Sequence, residues 1–384
     1  MFYAGGHFHE HVGHDPLRAA ADLRSLPDAD CRDADQGIRV PMNDSVERTL
    51  TVAATAGLGN RLRVLLSGMA LAATTGRRFT MLWPRTEACA ASFDELFTNP
   101  WPVQEVTWEE VERLPIIPHA NRAGLDLLTM DATAIQGQTY NWLLAPARFP
   151  AHQPLMRRCA ELLQEMQPVA EIQARVAAFQ ASSFRSHMIG VHLRRADMHF
   201  LYPTSAANTR PAMAAVDAYL AQHPEAGILL CTDDGAIHQG TERAAPTEGV
   251  QARFRAQYGD RVVFTAPRSL DRRDPVAIQD AVVDLWLLRQ TDCFVGTARS
   301  SFSEFAVFGR AVPNTMCQSQ HPLRHLLPLR RWLRGEVSHS WLARYYLRLI
   351  RPRGVKRNTR SLLGASPLWC WPTPTARPRS STGR

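Results

Sequence analysis

The strongest constraint on this chain is a change of hydrophobic period, from the 2 of a strand to the 3.6 of a helix, repeated along its length. TLTVAAT (49–55) alternates as a strand and AGLGN (56–60) reads as a tight turn. RLRVLLSGMALAATTG (61–76) then puts Leu62, Leu65, Leu66, Met69 and Ala73 on one helical stripe, with Gly76 at the C-cap. RFTMLW (78–83) is a second strand. Strand, helix and strand in so short a span make a βαβ unit, hence a parallel pair with a right-handed crossover.

After it strand signals thin, and 153–180 is a long helical pattern behind the Pro-rich stretch 145–154. A second series comes next: strand 186–193, helix 211–222, strand then turn 226–234, strand 261–267, helix 276–292, strand CFVG, and a helix opening at SSFSEFAVFG (300–309). Alternating β and α in both halves predicts an α/β protein of two Rossmann-like domains facing across a cleft. Their expected spans are 47–180 and 181–320, and 384 residues suit two such units.

Composition narrows the function classes. With 45% hydrophobic and 21% charged residues the chain is not wholly disordered. No apolar stretch approaches the ~18 residues needed to span a bilayer. Residues 1–46, with His7, His9, His11 and His14, lack a basic start and a leucine-rich core, so no secretory signal is expected there. They read as a mobile leader; a histidine metal site would need further ligands that the sequence does not cluster. The seven cysteines (31, 89, 159, 231, 293, 317, 370) are odd in number, scattered and without a C-x-x-C pair, which points to a reducing, cytoplasmic setting.

Charge is uneven. Residues 321–384 hold 14 Lys+Arg against one acid, Glu336, while the rest carries 30 bases and 35 acids. Trp332, Trp341, Tyr345 and Leu349 punctuate this basic tail. It could lie on an anionic membrane surface, or pack back on the protein before a disordered end. Its aromatics and arginines form no recognised nucleic-acid module. Because 43 of the 44 basic residues are Arg, a single Arg says little unless its setting is constrained.

Ligands of open α/β sheets bind at the carboxyl ends of strands, and four polar clusters occupy such ends. Gly57-Leu58-Gly59-Asn60-Arg61 could bring backbone N–H groups to an anion, or be a plain turn; the dinucleotide fingerprint fails at Leu62. In VHLRRAD (191–197), side-chain alternation puts His192 and Arg194 on one face and Arg195 on the other. Paired guanidiniums there suit a diphosphate, with a salt bridge to Asp197 as the alternative. Thr232-Asp233-Asp234 could hold Mg²⁺, a base or ribose, or cap a helix. Asp284 sits among Ala281, Leu287 and Leu288, where a carboxylate needs strong hydrogen bonds from a purine edge or from a nearby Arg. Ser300, Ser301 and Phe302 open a helix, as a phosphate cradle or an ordinary N-cap.

Taken in order over residues 49–312, GLGNR, WP…C…SFDELF (83–97), VHLRRAD, LLCTDD and DLWLLRQTDCFVGTARSSFSEFA resemble the GDP-fucose-dependent fucosyltransferases, including the α1,2, nodulation-type α1,6 and protein O-fucosyltransferases. The resemblance implies a GT-B glycosyltransferase moving L-fucose from GDP-fucose to a glycan or glycolipid hydroxyl, with inversion and without a metal. It implies that Arg194 and Arg195 neutralise the leaving diphosphate and that His192 and Asp284 hold ribose or guanine. Ser300, Ser301 and Phe302 would contact phosphate and sugar, Gly59 and Asn60 the fucosyl phosphate, and Asp233 and Asp234 the nucleotide. In the α1,6 relatives an acid proposed as base lies shortly after the Arg pair. Here Met198-His199-Phe200-Leu201-Tyr202 has none, leaving Asp197 and His199 as candidates. Another nucleotide sugar, or a relative that binds without turnover, are the competing readings.

Overall fold

Thr49–Ala54 (β1) buries Leu50, Val52 and Ala54 completely, and the chain turns directly into helix α1, Leu58–Thr75. The structure is a computed structural model that describes residues 47–118, 120, 124–195, 208–233 and 249–317. The leader 1–46, the basic tail 321–384, Asp197, His199 and Asp234 lie outside the described residues.

The predicted βαβ unit is present. α1 ends on Gly76, whose φ of 62° is the left-handed cap conformation that glycine adopts without strain, and β2 (Arg78–Pro84) pairs parallel with β1, Leu50 opposite Phe79. Two details differ from the expectation. Leu58, Gly59 and Asn60 belong to the first turn of α1 rather than to a turn before it, with Gly57 as N-cap. Ala73 is exposed, while α1 is otherwise buried nearly all round because β-strands and further helices cover both its sides.

β3 (Val103–Val106), α2 (Trp108–Glu112) and β4 (Ala134–Thr139) complete a parallel sheet of order β3-β2-β1-β4. The two outer strands carry no clear strand signal because edge strands need no continuous apolar run. VQEV has no buried residue, and AIQGQT buries only alternate ones. The long helix expected over 153–180 is two helices, α3 (Gln153–Glu165) and α4 (Ala170–Ser183), interrupted before Pro168, whose missing N–H and ring cannot continue a helix.

The second sheet is also parallel, in the order β7-β6-β5-β8-β9. Its strands are β5 (Met188–Leu193), β6 (Gly227–Thr232), β7 (Val262–Val263), β8 (Cys293–Thr297) and β9 (Asn314–Cys317). Every residue of β5 is buried, as expected of a central parallel strand covered on both faces. Helices α5 (Thr209–Leu220) and α6 (Val250–Tyr258) cover one face with Ala212, Val216, Phe254 and Tyr258, packing on Ile189, Val191 and Leu193. α7 (Pro275–Leu288) lies on the other, in a core shared with Met188, Leu229 and Cys231. That core continues without a break into α1, β1 and β2, so the two sheets are joined by one apolar mass. α8 (Ser301–Val307) comes directly after β8. No helix among the described residues is long and apolar enough to cross a membrane.

The two covered faces of β5 set the direction of each of its side chains. Even-numbered residues face α7 and odd-numbered ones face α5 and α6.

Candidate functional site

In each sheet the chain winds first one way and then the other, reversing between β1 and β4 and between β5 and β8. Crevices outside the carboxyl ends at such reversals are where open α/β sheets bind ligands. Here both reversals open onto one pocket. It is lined by Gly57, Leu58, Gly59 and Asn60 from the first sheet and by His192, Arg194, Asp233, Arg272, Asp284, Ser301 and Phe302 from the second half.

Two backbone features mark the same place. Among the described residues, only Ala56 and Arg299 are non-glycine residues at positive φ, 72° and 67°. Each stands one residue before a helix N-cap, Gly57 of α1 and Ser300 of α8. Holding two L-residues in the left-handed region costs about 1–3 kcal/mol each, and such strain gathers at ligand-binding turns. The turns bring the two helix starts together. A Cβ on Gly59 would fall 2.7 Å from Ser301 Oγ and 2.9 Å from Ser301's carbonyl carbon. Gly59 is thus required for the approach of α1 to α8, not only for access to a ligand.

His192 and Arg194, on the even face of β5, both line the pocket. The Thr297 hydroxyl clips them to β8, accepting from Arg194 N–H at 3.0 Å and donating to His192 C=O at 3.1 Å. Burial, then the nearby Arg194 and Arg272 charges, push the His192 imidazole down to about 3. It is therefore neutral near pH 7. Arg195, on the odd face, points away: it is buried, and its Nη1 donates to Thr209 Oγ1 of α5 at 3.1 Å. The expectation of two adjacent arginines in the pocket is corrected accordingly. The second pocket guanidinium is Arg272, from the loop between β7 and α7, 3.9 Å from Asp233 Oδ2. Nothing in the sequence distinguishes it from its many fellow arginines. Asp233 also accepts the Arg195 backbone N–H at 2.5 Å, so it helps shape the end of β5.

Asp284 reaches the pocket from α7 and accepts a 2.6 Å hydrogen bond from Thr265 Oγ1. Burial, with Asp280 nearby, pushes its carboxyl up to about 6 even though Thr265 and Cys231 donate to it. The Cys231 thiol, itself pushed up by burial and by Asp284, stays protonated. Asp280, one turn earlier, is occupied by Arg175 of α4 at 2.5 Å and Arg268 at 2.8 Å.

Because folding raises the Asp284 carboxyl to about 6, the stability it allows falls as pH rises. Below about pH 3 the group is neutral in folded and unfolded chains alike; as pH rises from there to about 6 the unfolded chain ionises it more readily, and stability is lost. Asp284→Asn cannot ionise. It is expected to be more stable than the parent at pH 7.5, by an amount on the order of 3 kcal/mol, and to match it near pH 3. Thermal melts of both proteins across that range test this, and a stability difference that does not vary with pH refutes it.

Ser300 is buried and its hydroxyl caps α8, accepting from Ser303 N–H, so it does not face the pocket as the phosphate-cradle reading expected. Ser301 and Phe302 do, the Phe302 ring lying 4.7 Å from that of His192. Asn60 accepts from Arg63 Nη1 at 3.1 Å, which directs its amide oxygen to Arg63 and leaves its NH₂ as a donor. Arg63 in turn forms a short ion pair with Glu304 of α8, whose other oxygen accepts from Trp142 Nε1 at 2.7 Å. Sequence reasoning missed this network because its members lie up to 241 residues apart. Among the described residues no three His, Cys, Asp or Glu side chains cluster as metal ligands do.

No protein-family model matches the chain, and no curated protein matches it. Among solved structures it is similar to NodZ α-1,6-fucosyltransferase soaked with GDP-fucose, at 19% identity and a TM-score of 0.45 over 69% of this chain and 93% of that one. Fucosyltransferase NodZ from Bradyrhizobium gives 18% identity and a TM-score of 0.44, covering 68% and 93%. POFUT1 in complex with GDP gives 11% and 0.45, covering 70% and 99%.

Proposed function

We propose that this pocket holds a guanosine diphosphate sugar and that the protein transfers L-fucose from GDP-fucose to a hydroxyl of a glycan or glycolipid. The observation that carries the reading is the convergence, on one pocket at two chain reversals, of Arg194, His192, Asp284, Phe302 and Asn60. These belong to the motifs whose order resembles the GDP-fucose-dependent enzymes. Asp284 is a buried carboxylate that burial keeps raised despite the Thr265 and Cys231 donors, and two parallel N–H groups of a guanine edge would stabilise its charge further. Arg194 and Arg272 meet the diphosphate.

In this reading the acceptor oxygen attacks the anomeric carbon from the face opposite the diphosphate. The C–O bond to phosphate breaks, and its electron pair leaves with GDP. The two guanidiniums stabilise that charge in place of a metal. The acceptor's proton passes to Asp197 or His199. We assign residues 47–180 to the acceptor side and 181–320 to the donor side of a GT-B arrangement. A cytoplasmic setting accords with the free cysteines Cys89, Cys159, Cys231, Cys293 and Cys317. The basic tail is proposed to touch an anionic membrane face.

Thermal shift with GDP, GDP-fucose, GDP-mannose and UDP-sugars tests the donor. At 100 times Kd, a true ligand stabilises by about 2.7 kcal/mol. Stabilisation by guanine nucleotides and GDP release from GDP-fucose over a glycan acceptor panel are expected. A response to UDP-sugars alone overturns the donor assignment.

A further inference from the structure

Ser303 is completely buried and packs closely against β8: a Cβ on Gly296 would lie 2.9 Å from Ser303 Cβ. Its Oγ sits 2.6 Å from His192 Nδ1 and 3.0 Å from the Thr297 backbone nitrogen. Thr297 N–H can only donate, so the serine oxygen accepts there. The hydroxyl's own proton then has one acceptor within these contacts, Nδ1 of His192. Were Nδ1 protonated, the hydroxyl would accept twice and keep a buried proton without a partner, an arrangement folded proteins avoid.

We infer that Ser303 is a positioning residue that fixes His192 as the tautomer protonated on Nε2, so that the ring donates a hydrogen bond to an oxygen of the bound ligand and does not act as a base. The inference rests on the nucleotide-sugar reading only for the identity of that oxygen, a phosphate or ribose oxygen. Its physical content stands on the Ser303–His192–Thr297 geometry. An imidazolium would require Nδ1 to donate as well, forcing the serine proton off its acceptor, beside the charges of Arg194 and Arg272.

The test is long-range ¹H–¹⁵N NMR of the full-length protein labelled at histidine, with His192 signals identified by their loss in His192→Gln. The expected pattern is a protonated Nε2 and an unprotonated Nδ1 from pH 5 to 8. Ser303→Ala is expected to give mixed tautomers and about 3- to 10-fold weaker GDP binding, the scale of one neutral hydrogen bond. Ser303→Cys, a weaker donor of similar size, serves as a second variant should the alanine protein fold poorly, and lies between the two. A protonated Nδ1 in the parent, or an unchanged tautomer in both variants, overturns the inference. If the tautomer is as expected but no guanine nucleotide binds, the donor assignment fails and the role of Ser303 survives.

Discussion

Arg194→Ala is expected to weaken GDP binding by about 10- to 150-fold, the equivalent of the 1.5–3 kcal/mol that a charge-assisted hydrogen bond contributes. Arg194 leaves β5 on the face that looks at α7 and the pocket, and Thr297 fixes its backbone from β8. A planar guanidinium so held meets two phosphate oxygens at once, which a flexible amine does not. Arg194→Lys is therefore expected to recover only part of the loss. Arg272→Ala is expected to act in the same direction but less strongly, since its side chain is 38% exposed and solvent screens it. Arg195→Ala separates position from composition. It removes an adjacent arginine that points to Thr209, and its main expected effect is on folding stability. Titration calorimetry of the three alanine variants at one ionic strength decides the matter. Full GDP affinity in Arg194→Ala removes the diphosphate from this end of β5, whatever activity is measured.

That ordering of Arg194 over Arg195 is legible in the sequence, because a strand of period 2 sends adjacent residues to opposite faces. Asp284 is legible for a related reason: a carboxylate among Ala281, Leu287 and Leu288 announces a cost that some partner must offset. Central elements are readable because burial on both faces leaves unbroken apolar runs such as MIGVHL. Edge strands β3, β4 and β9 are not, since solvent on one side releases their sequences from that demand. Helix α6 is hidden because only Val250, Phe254 and Tyr258, four residues apart, mark its buried stripe within a polar segment. The GLGN segment reads as a place of close approach, which it is, but the approaching partner found there is Ser301 rather than a ligand alone. Contacts that join distant positions, such as Arg272 to Asp233 or Arg63 to Glu304, leave no local signature in a single chain.

Glu304→Ala is expected to lower stability by about 3–5 kcal/mol, which for a chain of this size lowers Tm by roughly 4–6 °C. The carboxylate serves two elements of the first half at once: one oxygen pairs with Arg63 of α1, the other accepts from Trp142. Arg63 and Glu304 are only 17% and 18% exposed, so removing the acid leaves a guanidinium and an indole N–H with little water to replace it. The cost comes mainly from those orphaned donors, not from the pair's own attraction. Trp142 also packs its ring, tilted, against Phe305 and Phe308, so its loss of anchorage loosens the seam between α8 and the first sheet. Glu304→Gln keeps an acceptor for Trp142 and is expected to cost less. Function should track stability here, because Arg63 holds the Asn60 amide at the pocket rim. Both glutamate variants are therefore expected to bind GDP-fucose more weakly than the parent, on the proposal that Asn60 meets the fucosyl phosphate. A double-mutant cycle with Arg63→Ala isolates the pair: a coupling above about 1 kcal/mol is expected for groups this close. Additive melts, or a Glu304→Ala protein as stable as its parent, mean that the two sheets are held by their shared apolar core alone.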